Sequence, residues 1–306
     1  MRNYNEFVDL FAEIYDANDI KINESLSSFV NFKVGGPADI LLIPKNKKQV
    51  IKSIEVCKLK NIPYYVIGNG SNLLIRDGGF RGVVLSLKAV DNITISGEVI
   101  TAECGAMLRD LSNAAVKNSL TGAEFSCGIP GTIGGAIHMN AGAYNGEMSQ
   151  IVESAEVIND KGEIVTLSNE ELDFGYRSSI VMKKGYIVLS TKFKLVKGEV
   201  KSIKDLVNDL TNKRESKQPL EYPSAGSTFK RPEGYFAGKL IEDAGLKGFT
   251  LGGAAVSDKH SGFVINKGTA TAKDITDLIK YIQDEVKKKF DVELHTEVRI
   301  IGEELE

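Results

Sequence analysis

The stretch Cys127-Gly128-Ile129-Pro130-Gly131-Thr132-Ile133-Gly134-Gly135-Ala136-Ile137-His138-Met139-Asn140-Ala141-Gly142 decides how this chain is read. Glycine gives up more backbone freedom on folding than any other residue, so such density is costly in an ordinary strand or helix. Something must lie against the bared backbone. Two readings follow: a loop that cradles phosphate, or close packing of two backbone segments. No lysine follows these glycines, which excludes a Walker-type phosphate loop.

Upstream, Gly68-Asn69-Gly70-Ser71-Asn72 follows the short apolar strand Tyr64–Ile67. Glycines after a strand let backbone N–H groups approach phosphate oxygens, and Ser71 and Asn72 add side-chain donors. The third glycine of a dinucleotide fingerprint is missing, since Leu73 stands there. Leu73-Leu74-Ile75 and Asp77-Gly78-Gly79 then read as strand and turn, not as the helix a Rossmann unit requires. A phosphate loop of another kind and a plain tight turn both remain open.

Around these segments the pattern changes along the chain. Residues 3–16 carry Tyr4, Phe7, Leu10, Phe11 and Ile14 at helical spacing. Strands are expected at Asp39–Pro44, Tyr64–Ile67 and Val83–Leu87, with a helix over 46–61 that buries Val50, Ile54 and Cys57. A β-rich middle follows. Hairpins are expected around Ser96-Gly97-Glu98 and Asn159-Asp160-Lys161-Gly162, a helix over 106–118, and an alternating strand Tyr186–Leu195. A charged stretch near Val196–Val200 reads as a boundary. Beyond it come a helix over 203–216, a Gly/Pro-rich segment 219–253, and a helix over 272–290 that opens with the capping-box pair Thr271 and Asp274. A last strand over 292–300 places Val292, Leu294, Thr296, Val298 and Ile300 on one face and Glu293, His295, Glu297 and Arg299 on the other.

Composition removes several function classes. A formal charge of −3 and a pI near 5.8 argue against a broad nucleic-acid footprint, which needs a basic face, and no nucleic-acid partner is expected. Cys57, Cys104 and Cys127 form no Cys-x-x-Cys, so neither a disulfide scaffold nor a structural zinc is expected. His138, His260 and His295 show no ligand spacing, and no metal is expected. No apolar stretch approaches the ~20 residues of a membrane span, and the N-terminus lacks a signal-peptide layout. A cytoplasmic protein is the expectation.

Two further segments carry reactive side chains. In Phe174-Gly175-Tyr176-Arg177-Ser178-Ser179 an arginine among small and aromatic residues can clamp a carboxylate or phosphate, or simply sit solvated. In Tyr222-Pro223-Ser224-Ala225-Gly226-Ser227-Thr228-Phe229-Lys230 a serine stands in a turn without the Gly-x-Ser-x-Gly of a hydrolase elbow.

Taken in order, Asn31–Ala38, Ile67–Ile75, Gly128–Tyr144, Tyr176-Arg177-Ser178-Ser179, Ser224–Phe229 and the region from Gly262–Asn266 to Glu297 resemble one family over about residues 25–300. It is the UDP-N-acetylenolpyruvoylglucosamine reductases of bacterial cell-wall synthesis. The resemblance implies an α+β fold: a two-subdomain FAD-binding module of the vanillyl-alcohol-oxidase (PCMH) type plus a C-terminal substrate domain. The divisions expected are 1–88, 89–198 and 199–306, with the last strand returning towards the first subdomain. It implies non-covalent FAD, although Cys127 and His138 lie where related flavoproteins attach it covalently.

The resemblance also implies a reaction. NADPH reduces FAD, flavin N5 delivers hydride to the enolpyruvyl methylene of a UDP-sugar substrate, and a proton completes UDP-N-acetylmuramate. Arg177 and Glu297 match the residues that stabilise the carbanionic intermediate, with Glu297 expected to be hydrogen-bonded or protonated. Ser227 matches the proton donor. Gly68, Asn69, Gly70, Ser71, Asn72, Gly128, Pro130, Gly131, Thr132, Gly134, Gly135, Ala136, Asn140, Gly142 and Arg214 are the cofactor-binding candidates, and Tyr176 and Lys217 the substrate-binding ones. One branch of the family inserts a loop after the Arg177 block; little room exists before the strand at 186, so this chain resembles the shorter branch. A monomer or weak homo-oligomer is expected. The rival readings are a sugar or alcohol oxidase of the same fold and a flavin- or nucleotide-binding module without catalysis.

Overall fold

In the computed structural model residues 8–305 are described. The helix expected over 3–16 lies partly outside them; from residue 10 its described part is turn, with Phe11 fully buried. The chain forms two compact units. The first holds the residues up to Lys21, Ile40–Asn69 and Val83–Arg214; the second holds Ile22–Asp39, Gly70–Gly82 and the residues from Glu215 onward. Residues 22–39 and 70–82, grouped by sequence with the first subdomain, thus cluster with the C-terminal part, and residues 200–214 cluster with the first unit.

The first unit is built on a five-stranded antiparallel sheet in the order Ile164–Ser168, Val152–Ile158, Ile187–Lys194, Val99–Glu103, Ile93–Ser96. Both expected hairpins form its flanks. The central strand buries Ile187, Val188, Leu189, Ser190 and Thr191 in succession, because this half of the strand is covered on both faces. A second element of the unit is the helix Lys47–Leu59, opened by Asn46, whose side chain accepts from the N–H of Gln49; Val50, Ile54 and Cys57 face the core as spaced. Tyr64–Ile67 runs parallel to residues 83–86 of the strand Phe80–Ser86.

The glycine run departs from a continuous loop. Ile133–Met139 is a seven-residue helix that packs on the central strand Ile187–Lys194. Ile133, Ala136 and Ile137 lie at the i, i+3, i+4 positions of one face and are all buried. That apolar face outweighs the propensity cost of Gly134 and Gly135.

In the second unit a small antiparallel meander, Thr250–Leu251, Ala254–Val256 and Val264–Asn266, packs against the helix Ala272–Phe290. The capping box of Thr271 and Asp274 is formed. Asp77 adds to it: its two carboxylate oxygens accept from the N–H groups of Ala272 and Lys273, both at 2.9 Å. Negative charge there also suits the helix dipole. The Gly/Pro-rich segment 219–253 is not loop throughout; it contains the helix Ala237–Asp243, which buries Leu240 and Ile241. The last strand is shorter than the expected 292–300. Only Arg299–Ile301 is strand, paired in parallel with Leu73–Ile75. The in–out alternation still runs through residues 292–299, with Leu294 and Val298 buried and Glu293, His295 and Arg299 exposed.

Candidate active site

In the first unit the two glycine segments meet. A Cβ added to Gly68 would lie 2.2 Å from Thr132 Oγ1, so the glycine permits a contact that no side chain could share. The Asn69 amide donates to the carbonyl of Pro130 at 2.8 Å. Thr132 is the N-cap of the helix Ile133–Met139 and accepts weakly, at 3.5 Å, from the N–H of Gly135.

The helix does not offer all of its first N–H groups to a ligand. Ile133 donates to Ala106 and Gly134 to Cys104, both at 2.8 Å. A Cβ on Gly134 would stand 3.2 Å from Cys104 Cβ, so at this position the glycine serves backbone packing. The loop Cys104–Ala106 was absent from the sequence reading; Gly105, whose added Cβ would meet the Leu87 carbonyl at 2.0 Å, is the signal that marks it. Gly131 accepts from the Leu108 N–H at 3.0 Å, and Ala136 faces the core. Pro130 and Gly135 remain exposed. Pro130 has no N–H to offer, so among these residues the exposed N–H of Gly135, held only by its long bond to Thr132, is the donor nearest to the Gly68–Asn69 turn.

Arg214 lies across Gly128: a Cβ there would be 2.6 Å from Arg214 Cδ. Burial pulls the Arg214 pKa down from its usual value, opposed by the neighbouring Tyr144 and Cys127. A half-buried guanidinium beside a glycine is suited to an anionic ligand. The Cys127 thiol is turned onto the long helix Val200–Lys217, 3.8 Å from the Val207 carbonyl and 3.7 Å from Thr211 Oγ1.

Tyr176 and Arg177 form the tip of a two-residue turn closed by reciprocal bonds between Gly175 and Ser178. Arg177 adopts φ +51°, uncommon for a non-glycine residue. Neighbours fix this turn. Buried Asn140, itself at φ +47° at the end of the Ile133–Met139 helix, donates its amide to Gly175 O at 3.2 Å and accepts from Ser149 N at 3.0 Å. Ser179 donates to the His138 carbonyl at 2.7 Å. The Arg177 guanidinium lies 5.3 Å from the Tyr176 ring and donates to the Gly142 carbonyl at 3.4 Å. Gly142 sits in a tight hairpin in which a Cβ would be 2.7 Å from Gly146 O.

The second unit holds the other candidates. Gly70, at φ +61°, comes so close to Phe29 O that a Cβ would be 2.3 Å away, and its carbonyl accepts from Asn31 N. Ser71 is half-buried. Ser227 is exposed immediately after Gly226, which has φ +76°. Its neighbour Thr228, which sequence reasoning missed, is fully buried. Thr228 donates its N–H to Gly262 O at 2.9 Å, accepts at its hydroxyl from Val264 N at 2.9 Å, and accepts at its carbonyl from Glu297 N at 2.9 Å. The Ser227 segment and half-buried Glu297 are therefore held side by side. The Asn72 amide donates to the Glu297 carbonyl at 3.1 Å. Lys217 is exposed at the end of its helix. Among the described residues no group of three His, Cys, Asp or Glu side chains could hold a metal, and no helix is long and apolar enough to cross a membrane.

Comparison with known proteins defines first the class. Residues 38–168 match the FAD binding domain model. The fold is α+β of the vanillyl-alcohol-oxidase (PCMH) type, shared at TM-score 0.51 and 12% identity with a Phl p 4 variant named as a glucose oxidase, covering 63% of this chain and 44% of that one. The chain thus has an FAD-binding fold of this type.

The family follows from the rest of the molecule. Residues 218–301 match the model of the UDP-N-acetylenolpyruvoylglucosamine reductase C-terminal domain. The enzyme of that name from Clostridium perfringens (strain SM101 / Type A) is 60% identical over 99% of both chains. That from Clostridium botulinum (strain Alaska E43 / Type E3) is 59% identical over 96% of this chain and 97% of its own. The crystal structure of the Thermus caldophilus enzyme matches at TM-score 0.78 and 33% identity, covering 92% of this chain and 97% of that one. The chain belongs to the UDP-N-acetylenolpyruvoylglucosamine reductase family.

Proposed function

We propose that this chain reduces UDP-GlcNAc-enolpyruvate to UDP-N-acetylmuramate, a step in peptidoglycan precursor synthesis, with NADPH as the reductant and FAD held non-covalently. The observation that carries the reading is the 2.9 Å bond from Glu297 N–H to the Thr228 carbonyl, which couples Glu297 to the Ser227 segment. When bound, FAD supplies the hydride, taken from NADPH and delivered from N5 to the enolpyruvyl methylene carbon. The remaining tasks fall to side chains of this chain.

Hydride addition leaves charge on the carbon beside the carboxylate. Arg177 is the fixed cation for that charge; its turn is anchored through Gly175 and Gly142, so little reorganisation is needed as charge develops. Glu297 is its acidic partner in stabilising the intermediate. Ser227 gives its hydroxyl proton to the carbanion, and the C=C becomes the CH–CH3 of the lactyl group. A hydroxyl is a weak acid, but the carbon it protonates is a far stronger base. The segments Gly68–Asn72 and Gly128–Gly142, with Arg214, build the cofactor cradle in this reading, Gly134 and Ala136 by packing rather than by contact and Asn72 through Glu297, and Tyr176 and Lys217 contact substrate. In this reading residues 1–88 and 89–198 are the cofactor-binding subdomains and residues 199–306 the substrate domain, with segments 22–39 and 70–82 clustering with the C-terminal part and residues 200–214 with the first unit. The active species is a monomer or weak homo-oligomer.

The test is anaerobic. NADPH should bleach the flavin band, and UDP-GlcNAc-enolpyruvate should restore it; no restoration would reject the substrate. Ser227→Ala should bleach normally yet reoxidise ~10²–10⁴-fold more slowly. Near-normal reoxidation would remove Ser227 as the donor.

A further inference from the structure

Asn72 closes the glycine segment 68–72 and has the character of a cofactor ligand. Its geometry gives it another task. The side-chain amide donates to the Glu297 carbonyl at 3.1 Å, and the Asn72 carbonyl accepts from Arg299 N at 3.0 Å. Asn72 therefore straddles residue 298 and holds the backbone on both sides of it. From the opposite side, Glu297 N–H donates to the Thr228 carbonyl at 2.9 Å. The main chain of Glu297 is thus fixed at its N–H by the Ser227 segment and at its C=O by the Asn72 side chain.

This arrangement bears on reactivity. Glu297 lies just before the strand Arg299–Ile301, outside the ladder with Leu73–Ile75. The N–H of the peptide that follows Glu297, on Val298, makes only a long bond to the Thr228 carbonyl, 3.5 Å, beside the isolated bridge between Thr296 and Phe229, so the shorter Asn72 bond is the stronger hold on its carbonyl end. Without the Asn72 amide, its half-buried carbonyl loses that partner and the peptide after Glu297 is freer to tip. The ladder itself and the Arg299 N–H to Asn72 O bond involve only main chain, so they survive a change of side chain at 72. Displacements of about 1 Å at a catalytic group can cost ~10²-fold in rate.

We propose that Asn72 is a positioning residue for the reduction, acting through the main chain of Glu297 rather than by binding FAD. This rests on the reaction proposed above.

The test uses full-length, FAD-loaded Asn72→Ala, with Asn72→Asp as a second variant of the same shape that lacks the donor and serves if the alanine protein does not fold. Three quantities are measured: the FAD dissociation constant, the rate of anaerobic bleaching by NADPH, and the rate of reoxidation by saturating UDP-GlcNAc-enolpyruvate. The first two should stay within about threefold of wild type, while reoxidation falls by about 10–100-fold with little change in KM. In a Glu297→Gln background the same change at 72 should slow reoxidation by less than about threefold, because the group it positions is already gone.

A tenfold or greater loss of FAD affinity, or slowed bleaching, would make Asn72 a cofactor ligand and overturn the proposal. Unchanged reoxidation, or a full additional loss in the Glu297→Gln background, would overturn it too. If wild type itself fails to reoxidise with this substrate, the reaction assignment fails and the proposal with it; a normal wild type beside an unaffected variant rejects the positioning role alone.

Discussion

The contact between Gly68 and Thr132 can be tested by a double-mutant cycle. In Gly68→Ala the new Cβ would sit 2.2 Å from Thr132 Oγ1 and 3.3 Å from Thr132 Cβ and Cγ2. Thr132 is buried and caps the helix Ile133–Met139, so its hydroxyl cannot step aside without leaving that cap. Overpacking of this kind costs ~1–3 kcal/mol, and loss of the N-cap adds ~1 kcal/mol. A total of about 3 kcal/mol lowers the midpoint of melting by ~6–12 °C for a unit of this size. Thr132→Ala alone loses only the cap, ~1 kcal/mol or ~2–4 °C. In the double variant the clashing oxygen is absent, so its melting should fall close to that of Thr132→Ala and well above the sum of the two single effects. Thermal melting of all four proteins by far-UV circular dichroism at one fixed FAD concentration measures this. Additive shifts, or a Gly68→Ala protein as stable as wild type, would show that Gly68 and Thr132 are not in contact and that the two glycine segments do not share one cradle.

Two further outcomes concern ionisable groups. The Asp274 carboxyl is held below its ordinary pKa, first by the backbone N–H of Thr271 and further by those of Gly253 and the Thr271 hydroxyl. A depressed carboxylate contributes stability that is present above the unfolded value, ~3.9, and disappears as pH falls through the folded one. Wild type should therefore lose melting temperature more steeply than Asp274→Asn as pH is lowered below about 4, and parallel curves would refute the cap's contribution. For the thiols, burial pushes Cys57 and Cys104 up to about 12. At pH 8 only about one part in 10⁴ of each is thiolate. Ellman's reagent should label partly exposed Cys127 first, with Cys57 and Cys104 reacting only on unfolding; rapid labelling of all three in the folded protein would contradict the burial.

Local rules made much of this fold legible. The helix Ala272–Phe290 was readable to the residue because Thr271 and Asp274 write a capping box ahead of an apolar stripe. The hairpin at Asn159–Gly162 was legible from its turn residues, and the strand expected over Tyr186–Leu195 is found at Ile187–Lys194, although its first five residues are buried in succession rather than alternating. The glycine run misled in part, since five glycines obscured the helical spacing of Ile133, Ala136 and Ile137. The expected strand over 292–300 had the right alternation, but most of its length finds only the single bridge of Thr296 with Phe229. At the site, spacing could suggest the residue types but not their neighbours. Nothing local to Asn72 foretells Glu297, and nothing local to Gly68 foretells Thr132, because both contacts depend on how distant segments fold together. Thr228 gave no local signal either: it stands between Ser227 and Phe229, and its bonds to Gly262, Val264 and Glu297 lie far along the chain.

The chain changes unit after Lys21, Asp39, Asn69, Gly82 and Arg214. This sets an order during synthesis. Segments 22–39 and 70–82 leave the ribosome early, yet most of the core they complete, including Leu240, Ile241 and the face of the helix Ala272–Phe290, arrives last. Phe32, Val34 and Leu74 thus have their apolar partners delayed until translation is almost finished. At ~5–20 residues per second, that delay is on the order of ten seconds or more. The nascent chain is therefore a natural client for chaperones, and expression as separate halves would leave each half without part of its core.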